Sequence, residues 1–312
     1  MEITDPGPVG RLGRRLGALT SRLPRPTLTR RGGPEPRDFV SATDVLTGAA
    51  SGIGEQMARQ LAQEGAAYLI LVDRDADRLE ALTAALAATS DTTVEQHVVD
   101  LSVREEVVAL GKRIMEAHAT IDLLINNAGV TLFGTFEEMS LEDFMGVLDV
   151  NLHAPIALTH TLLPALLATP GSHIITMSSL FGLLAPPGQS AYATSKFGVR
   201  GFSESIGAEL AGHGIGVTTV HPGGFATRIA QDARAAEGLS TAAYKNQQGF
   251  SRDRLKGDPA HAAELILRAA RRRDSRLVVG VDARILEILP RVAPGQMRAL
   301  MGLVEGLGDK DR

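Results

Sequence analysis

TDVLTGAASGIGEQMARQLAQEGA, residues 43 to 66, is the stretch that decides the fold. Thr43 to Thr47 read as a short apolar strand, glycines follow at 48, 52 and 54, and then Met57, Leu61 and the alanines recur at helical spacing. Strand, glycine turn and helix in that order form the βα unit that binds dinucleotides. Gly48 permits the tight turn, Gly52 lets the backbone approach a pyrophosphate, and Gly54 allows close helix packing. Ser51 and Ile53 stand at the helix start, where free N–H groups and positive potential attract phosphate. Glycine triplets also occur in flexible turns, and the flanking strand and helix give this one its weight. Asp44 is the odd residue. A charge inside a buried parallel strand is costly unless paired, so Asp44 is expected near the strand's entrance, within reach of water or a partner.

The surrounding chain sets the class. Its 312 residues are 44% hydrophobic and 22% charged, enough for one large core or two small ones, which excludes disorder throughout. A formal charge of −4 gives no reason to expect a nucleic-acid partner. With no cysteine, disulfides and Cys/His zinc sites are excluded, and a reducing cytoplasm fits. No apolar run approaches the ~20 residues that span a bilayer, and the N-terminus lacks the apolar core of a secretory signal. Residues 1–37 differ in character, with eight arginines among Pro and Gly. A flexible leader is expected there. Leu12, Leu16, Leu19 and Leu23, at near-helical spacing among arginines, also suit a short helix in weak contact with an anionic membrane surface, although three glycines weaken that helix by roughly 1 kcal/mol each. The domain proper is then 38–312.

Downstream of the glycine turn, YLILV leads to Asp73, nineteen residues after Gly54. A carboxylate at that strand end can accept hydrogen bonds from the adenosine ribose hydroxyls and repels a 2′-phosphate, which favours NAD. Arg74 beside it is a surface arginine or a holder of that phosphate, so NADP stays open. After a helix over 75–88, the strand VEQHVV ends at Asp100 and Leu101, and Ser102 fits the N-cap of the next helix. LLINNAG ends a further strand. A helical segment from Leu141 to Leu167 carries Asn151 and Pro155; the proline has no N–H for the carbonyl of residue 151, a route to a kink with an exposed acceptor.

Chemistry concentrates in SSLFGLLAPPGQSAYATSK, residues 178–196. Tyr192 and Lys196 are four apart in a segment with helical spacing, so phenol and ammonium share a face. An adjacent positive charge favours the phenolate and is expected to bring the tyrosine toward neutrality, where a general acid/base works best. Ser178 and Ser179 close the buried strand HIITM, and a Gly/Pro loop returns the chain to Tyr192. Beyond the helix, which runs to about Ala211, IGVTTV makes another strand ending at His221, Pro222 and Gly223. His221 is not taken as the base, because the proton path already has a donor.

These segments resemble the short-chain dehydrogenase/reductase family. TGxxxGxG matches Thr47 to Gly54, NNAG matches Asn126 to Gly129, a Ser stands thirteen positions before the Tyr and a Lys four after it, and PGxxxT matches Pro222 to Thr227. The resemblance spans roughly 38–281. It implies an α/β fold with a doubly wound, mainly parallel sheet (a Rossmann fold), built as one domain with a C-terminal substrate lid over about 228–256. It implies catalytic roles for Asn151, Ser179, Tyr192 and Lys196, adenine contacts at Asp100 and Leu101, sheet bracing beside the adenosine at Asn126, Asn127 and Gly129, and nicotinamide contacts at Gly223 and Thr227. The implied activity is NAD(P)-dependent hydride transfer with a secondary alcohol or ketone, apolar in character, by a cytoplasmic homodimer or homotetramer. An NADPH-dependent 3-ketoacyl reductase is the alternative; a non-catalytic nucleotide-binding regulator is a weaker one, since it needs no tuned phenol. After the last strand, RLVVG, two amphipathic segments pack on the body or a neighbouring subunit, or else join Leu180, Phe181, Leu183 and Leu184 around an apolar pocket or touch a bilayer.

Overall fold

The computed structural model describes residues 37–225, 229, 232–254, 257–280, 283 and 287. Its strands are β1 (Thr43–Thr47), β2 (Tyr68–Asp73), β3 (Thr93–Val98), β4 (Leu123–Asn126), β5 (Leu132–Phe133), β6 (His173–Met177), β7 (Gly216–Pro222), β8 (Arg234–Ala235) and β9 (Arg276–Val279). Seven of them form one parallel sheet in the order β3-β2-β1-β4-β6-β7-β9, and β5 pairs with β8 in a small second sheet. The chain builds outward from β1 to β3, then returns to lay β4 on the other side of β1. That reversal opens a crevice at the carboxyl ends of β1 and β4.

Burial on both faces explains the continuous apolar runs. Leu69 and Leu71 of β2 enter one core while Ile70 and Val72 enter the other, and Leu46 and Val45 of β1 divide in the same way. On the first face pack α1 (Gly52–Gln63), α2 (Ala76–Ala87) and, from the far end of the chain, α8 (Pro259–Arg271), through Met57, Leu61, Leu79 and Ile266. The second face carries α3 (Arg104–Ala117), α5 (Ala154–Leu167) and α6 (Ser190–Leu210), through Leu110, Ile114, Leu158 and Leu162. Each such side chain contributes about 1.5–3 kcal/mol. The helices α4 (Leu141–Leu148) and α7 (Thr241–Arg254) flank the small sheet's segments in sequence. The doubly wound single domain is the architecture expected. Residues 1–36 of the leader and Thr227 lie outside the described residues, as does most of the chain after 280.

One expectation is refined and two need correction. The segment 141–167 is not one α-helix: a π-helical turn, Asp149–His153, separates α4 from α5 just before Pro155. Its length and apolarity do approach a bilayer span among the described residues, but Leu158, Leu162 and Leu166 are spent on the sheet. Ser102 does not cap α3, whose first turn follows Val103 without a side-chain cap; its hydroxyl donates instead to Asp100 at 2.8 Å. Asp44 is not at a wet entrance. It is fully buried between β2 and β4, and neither carboxylate oxygen has a hydrogen-bond partner. The neighbouring Asp122 takes the Arg37 guanidinium and the Thr43 N–H, leaving nothing for Asp44.

Burial, reinforced by Asp122, therefore holds the Asp44 carboxyl well above the usual carboxylate range. The unfolded chain ionises near ~3.9. Above that pH it releases a proton that the folded chain retains, so stability present below it is lost progressively as pH climbs through the raised folded value. Asp44→Asn, which never ionises, should exceed the native chain's stability at pH 8 by about 1–3 kcal/mol, with the gap closing toward pH 4. Urea unfolding midpoints at several pH values read this directly; a gap independent of pH refutes it.

Candidate active site

The crevice is built first by the glycine turn. Gly48 adopts φ +65°, which glycine takes without strain. Gly54 lies so close beneath it that a Cβ there would stand 2.0 Å from the Gly48 carbonyl oxygen. The turn is stitched to β4 by residues far away in sequence. Thr47 Oγ1 accepts from Asn127 N (3.0 Å) and Ala128 N (3.1 Å), while Asn127 Nδ2 donates to the carbonyls of Thr47 and Gly48 (both 3.0 Å). Asn126 braces elsewhere, donating to Thr159 across the second core at 3.0 Å. Ser51 occupies the N-cap of α1 without a side-chain capping bond, so the first-turn N–H groups of α1 face the crevice unclaimed by it.

Along the crevice Asp73 ends β2. Its carboxylate accepts from Ala50 N (2.9 Å) and Asp75 N (3.1 Å), which fixes it beside the glycine turn. Arg74 next to it is exposed, and Arg78, one helical turn on, pairs with Asp75 at 3.4 Å. Asp100 accepts from both the backbone and the hydroxyl of Ser102, and these bonds hold its carboxyl below the usual range.

At the other end stand the residues of 178–196. Lys196 is buried, and its Nζ donates to the Met177 carbonyl at 2.9 Å while lying 5.6 Å from the centroid of the Tyr192 ring. Ser179 Oγ accepts from Phe181 N at 3.1 Å and shares the cleft with the Tyr192 phenol, whose pKa its hydroxyl draws down. Ser178 ties strand to helix by donating to the Lys196 carbonyl at 2.9 Å. The expected shift of Tyr192 toward neutrality is not what this environment produces. Burial raises it, and the Ser179 hydroxyl only pulls it partway back. The same burial brings Lys196 down to about 8. With the ammonium over the ring face and bonded to a carbonyl, desolvation outweighs attraction between the pair.

Asn151 lies behind the crevice wall. Its amide accepts from Val130 N and donates to Val130 O, both at 2.8 Å, and donates to Ser195 Oγ at 3.0 Å. The side chain is thus committed to joining the π turn, the segment after β4 and α6. His221 is buried and pushed down to about 4 by burial, consistent with its exclusion as a base.

Gly48, Ser51, Gly52, Ile53, Gly54, Asp73, Arg74, Asp100, Leu101, Asn127, Ser179, Tyr192, Lys196 and Gly223 all line one cleft of about 270 Å³. Sequence reading missed Arg78, Met177 and Ile229 on the same wall. Arg78 was detectable as the i+4 neighbour of Arg74; the other two owe their places to a carbonyl and to a loop, which leave no pattern. The four apolar residues after Ser179 do not line it. Leu180 and Leu184 pack on Ala283 with Phe181 and Val278, and Phe181 meets the Tyr192 ring edge-on at 6.0 Å. Of the expected lid, β8 is held by Arg234 on Asp143 at 2.8 Å, and Tyr244 of α7 donates to the Ala233 carbonyl at 2.7 Å.

Residues 43–238 match the profile of the short chain dehydrogenase family. The Mycobacterium tuberculosis protein SadH is 35% identical over 265 residues, covering 84% of this chain and 95% of its own length. Dehydrogenase/reductase SDR family member 7B of Bos taurus is 32% identical over 267 residues, covering 84% and 80%. Among solved structures, a short chain dehydrogenase/reductase from Burkholderia phymatum in complex with NAD superimposes with a TM-score of 0.73 at 27% identity, over 82% of this chain and 94% of that one. One from Sphingobium yanoikuyae in complex with NADPH gives 0.66 at 28%, over 87% and 96%.

Proposed function

We propose a function from one premise: this chain belongs to the short-chain dehydrogenase family. It exchanges a hydride between a nicotinamide dinucleotide and a secondary alcohol or the matching ketone with apolar substituents. The observation that supports this most directly is that Ser179, Tyr192 and Lys196 share a cleft with the glycine turn and Asp73. A dinucleotide suits those residues. At Gly129 a Cβ would stand only 3.3 Å from Asn151 Oδ1 and 3.4 Å from Lys196 Nζ, so glycine keeps that wall open. The α1 N-terminus and Gly52 would hold the pyrophosphate, Asp73 the adenosine ribose, Asp100 and Leu101 the adenine, Lys196 the nicotinamide ribose, and Gly223 the carboxamide end.

A nicotinamide bound there takes or supplies the hydride. Ser179 donates a hydrogen bond to the substrate oxygen, and Tyr192 Oη gives that oxygen a proton in reduction or removes one in oxidation. A phenol raised by burial carries its proton at neutral pH, as reduction requires. Lys196, brought to about 8, exchanges a proton readily near that pH and refills the phenol, with the Asn151 carbonyl behind it as the relay's outer acceptor. Val130, Phe225 and Ile229 on the wall favour an apolar substrate.

The test is a panel of aliphatic, aromatic and steroid-like alcohols and ketones, each with NAD(H) and NADP(H), followed by nicotinamide absorbance. Turnover of none with either dinucleotide overturns the proposal. Asp73 favours NAD, and Asp73→Ala should reduce the NAD/NADP preference in kcat/KM about tenfold, since a charge-assisted bond to the ribose is worth roughly 1.5–3 kcal/mol. Exposed Arg74, with Arg78 on the same wall, favours the second reading, a preference for NADP; tighter binding of NADPH than NADH in a fluorescence titration decides for it.

A further inference from the structure

We infer that His221 is a positioning residue for Ser179, holding its main chain so that its hydroxyl faces the cleft beside Tyr192; the inference rests on the catalytic reading above. The pairing of β6 with β7 ends at Met177 and Val220, followed by one more bond from Ser178 N to the Val220 carbonyl at 2.8 Å. Ser179 is the first residue past that ladder. There the His221 side chain takes over: its Nδ1 lies 3.1 Å from the Ser179 carbonyl oxygen. The imidazole extends the grip of β7 on β6 by one residue, at the residue that carries the hydroxyl.

A carbonyl only accepts, so Nδ1 carries the proton. The state is secure at neutral pH. Burial pushes the ring down to about 4, aided by Arg276 of β9 and Arg200 of α6 and opposed by Glu204 of α6 and by the bond to Ser179 itself. The other nitrogen, Nε2, is buried without a hydrogen-bond partner. Val220 beside it and Val278 opposite it on β9 are aliphatic, and a buried ring with a bare nitrogen is a poor substitute for one more aliphatic side chain unless its other nitrogen is used. The Ser179 carbonyl is that use. The same carbonyl accepts from Gly182 N at 2.9 Å, and Ser179 Oγ accepts from Phe181 N. The peptide is clamped from the turn on one side and from the sheet on the other, and release of the sheet side lets the hydroxyl swing.

The experiment uses the full chain and the variants Ser179→Ala, His221→Leu, His221→Asn and Ser179→Ala/His221→Leu. The chain has three tyrosines, so 13Cζ-tyrosine NMR resolves the ionisation of Tyr192, identified by its loss in Tyr192→Phe. His221→Leu should raise the Tyr192 midpoint in the direction of Ser179→Ala, the double variant should go no further than Ser179→Ala, and His221→Asn, whose amide N–H reaches the place of Nδ1, should stay at the native value. On a ketone from the panel, His221→Leu should lower kcat roughly 10- to 100-fold with the dinucleotide KM unchanged, as expected of a misplaced catalytic group. A native midpoint in His221→Leu, or a shift that adds fully to that of Ser179→Ala, overturns the inference. If His221→Leu does not fold by thermal melting, His221→Gln, whose amide lies beyond the Nδ1 position, takes its place with the same outcomes. A native chain that turns over no panel compound defeats the functional reading, while the NMR comparison still decides the role of His221.

Discussion

Tyr192→Phe should lower turnover about 10²- to 10⁴-fold while dinucleotide affinity stays within about twofold. The substitution removes one atom from the site. Phenylalanine keeps the ring in its buried place, keeps the edge-on contact with Phe181 and keeps the ring face beneath Lys196. What goes is Oη, and with it the whole proton path to chemistry. The dinucleotide contacts proposed above, at the α1 end, Asp73, Asp100 and Lys196, do not use that atom. Steady-state rates by nicotinamide absorbance and a fluorescence titration of the reduced dinucleotide separate the two effects. Turnover near the native level would remove the phenol from the mechanism.

A second large effect is expected at the opposite end of the cleft. In Gly54→Ala the new methyl would lie 2.0 Å from the Gly48 carbonyl oxygen and 2.6 Å from Asn127 Nδ2. Neither neighbour is free to retreat. The oxygen belongs to a residue at φ +65°, and Asn127 is bonded to that oxygen and to the Thr47 carbonyl. The turn must open, with a loss of about 1–3 kcal/mol of stability typical of overpacking. Because the opened turn is the one that presents the α1 N–H groups, dinucleotide affinity should fall roughly 100-fold or more, about 2.7 kcal/mol. Gly201→Ala is the control. Nothing lies within 4 Å of a Cβ there, in the middle of α6, and alanine should stabilise by up to about 1 kcal/mol. Calorimetric titration and urea unfolding check both; native affinity in Gly54→Ala would show that the turn yields at no cost to binding.

The fold was legible where one physical rule dominated. Strands buried on both faces read as unbroken apolar runs, as in YLILV, and the βα glycine turn has few other uses. The site was legible to the extent that its side chains sit at strand ends and along one helix face, which places Asp73, Tyr192 and Lys196 by spacing, while only the family resemblance separates Ser179 from Ser178. Energetics at depth were not legible. Spacing brings an ammonium to Tyr192 but does not reveal that burial outweighs it. Asp44 calls for water or a partner, yet local charge is silent on Asp122 taking the hydrogen bond of Arg37, 85 residues away. A proline predicts an irregular helix, but whether the disturbance becomes a kink or a π turn depends on what the freed groups meet. Here Asn151 meets Val130 and Ser195.

The stitching of Thr47 to Asn127 carries a consequence for synthesis. The phosphate-gripping end of the molecule is encoded early, but its shape is locked by an amide side chain 80 residues later. A nascent chain that has exposed only its first hundred residues has the glycine motif without Asn127, which bonds the Thr47 and Gly48 carbonyls. A dinucleotide bound as proposed would stabilise only chains that have already closed this long loop, adding its binding energy to the finished sheet rather than to any earlier fragment.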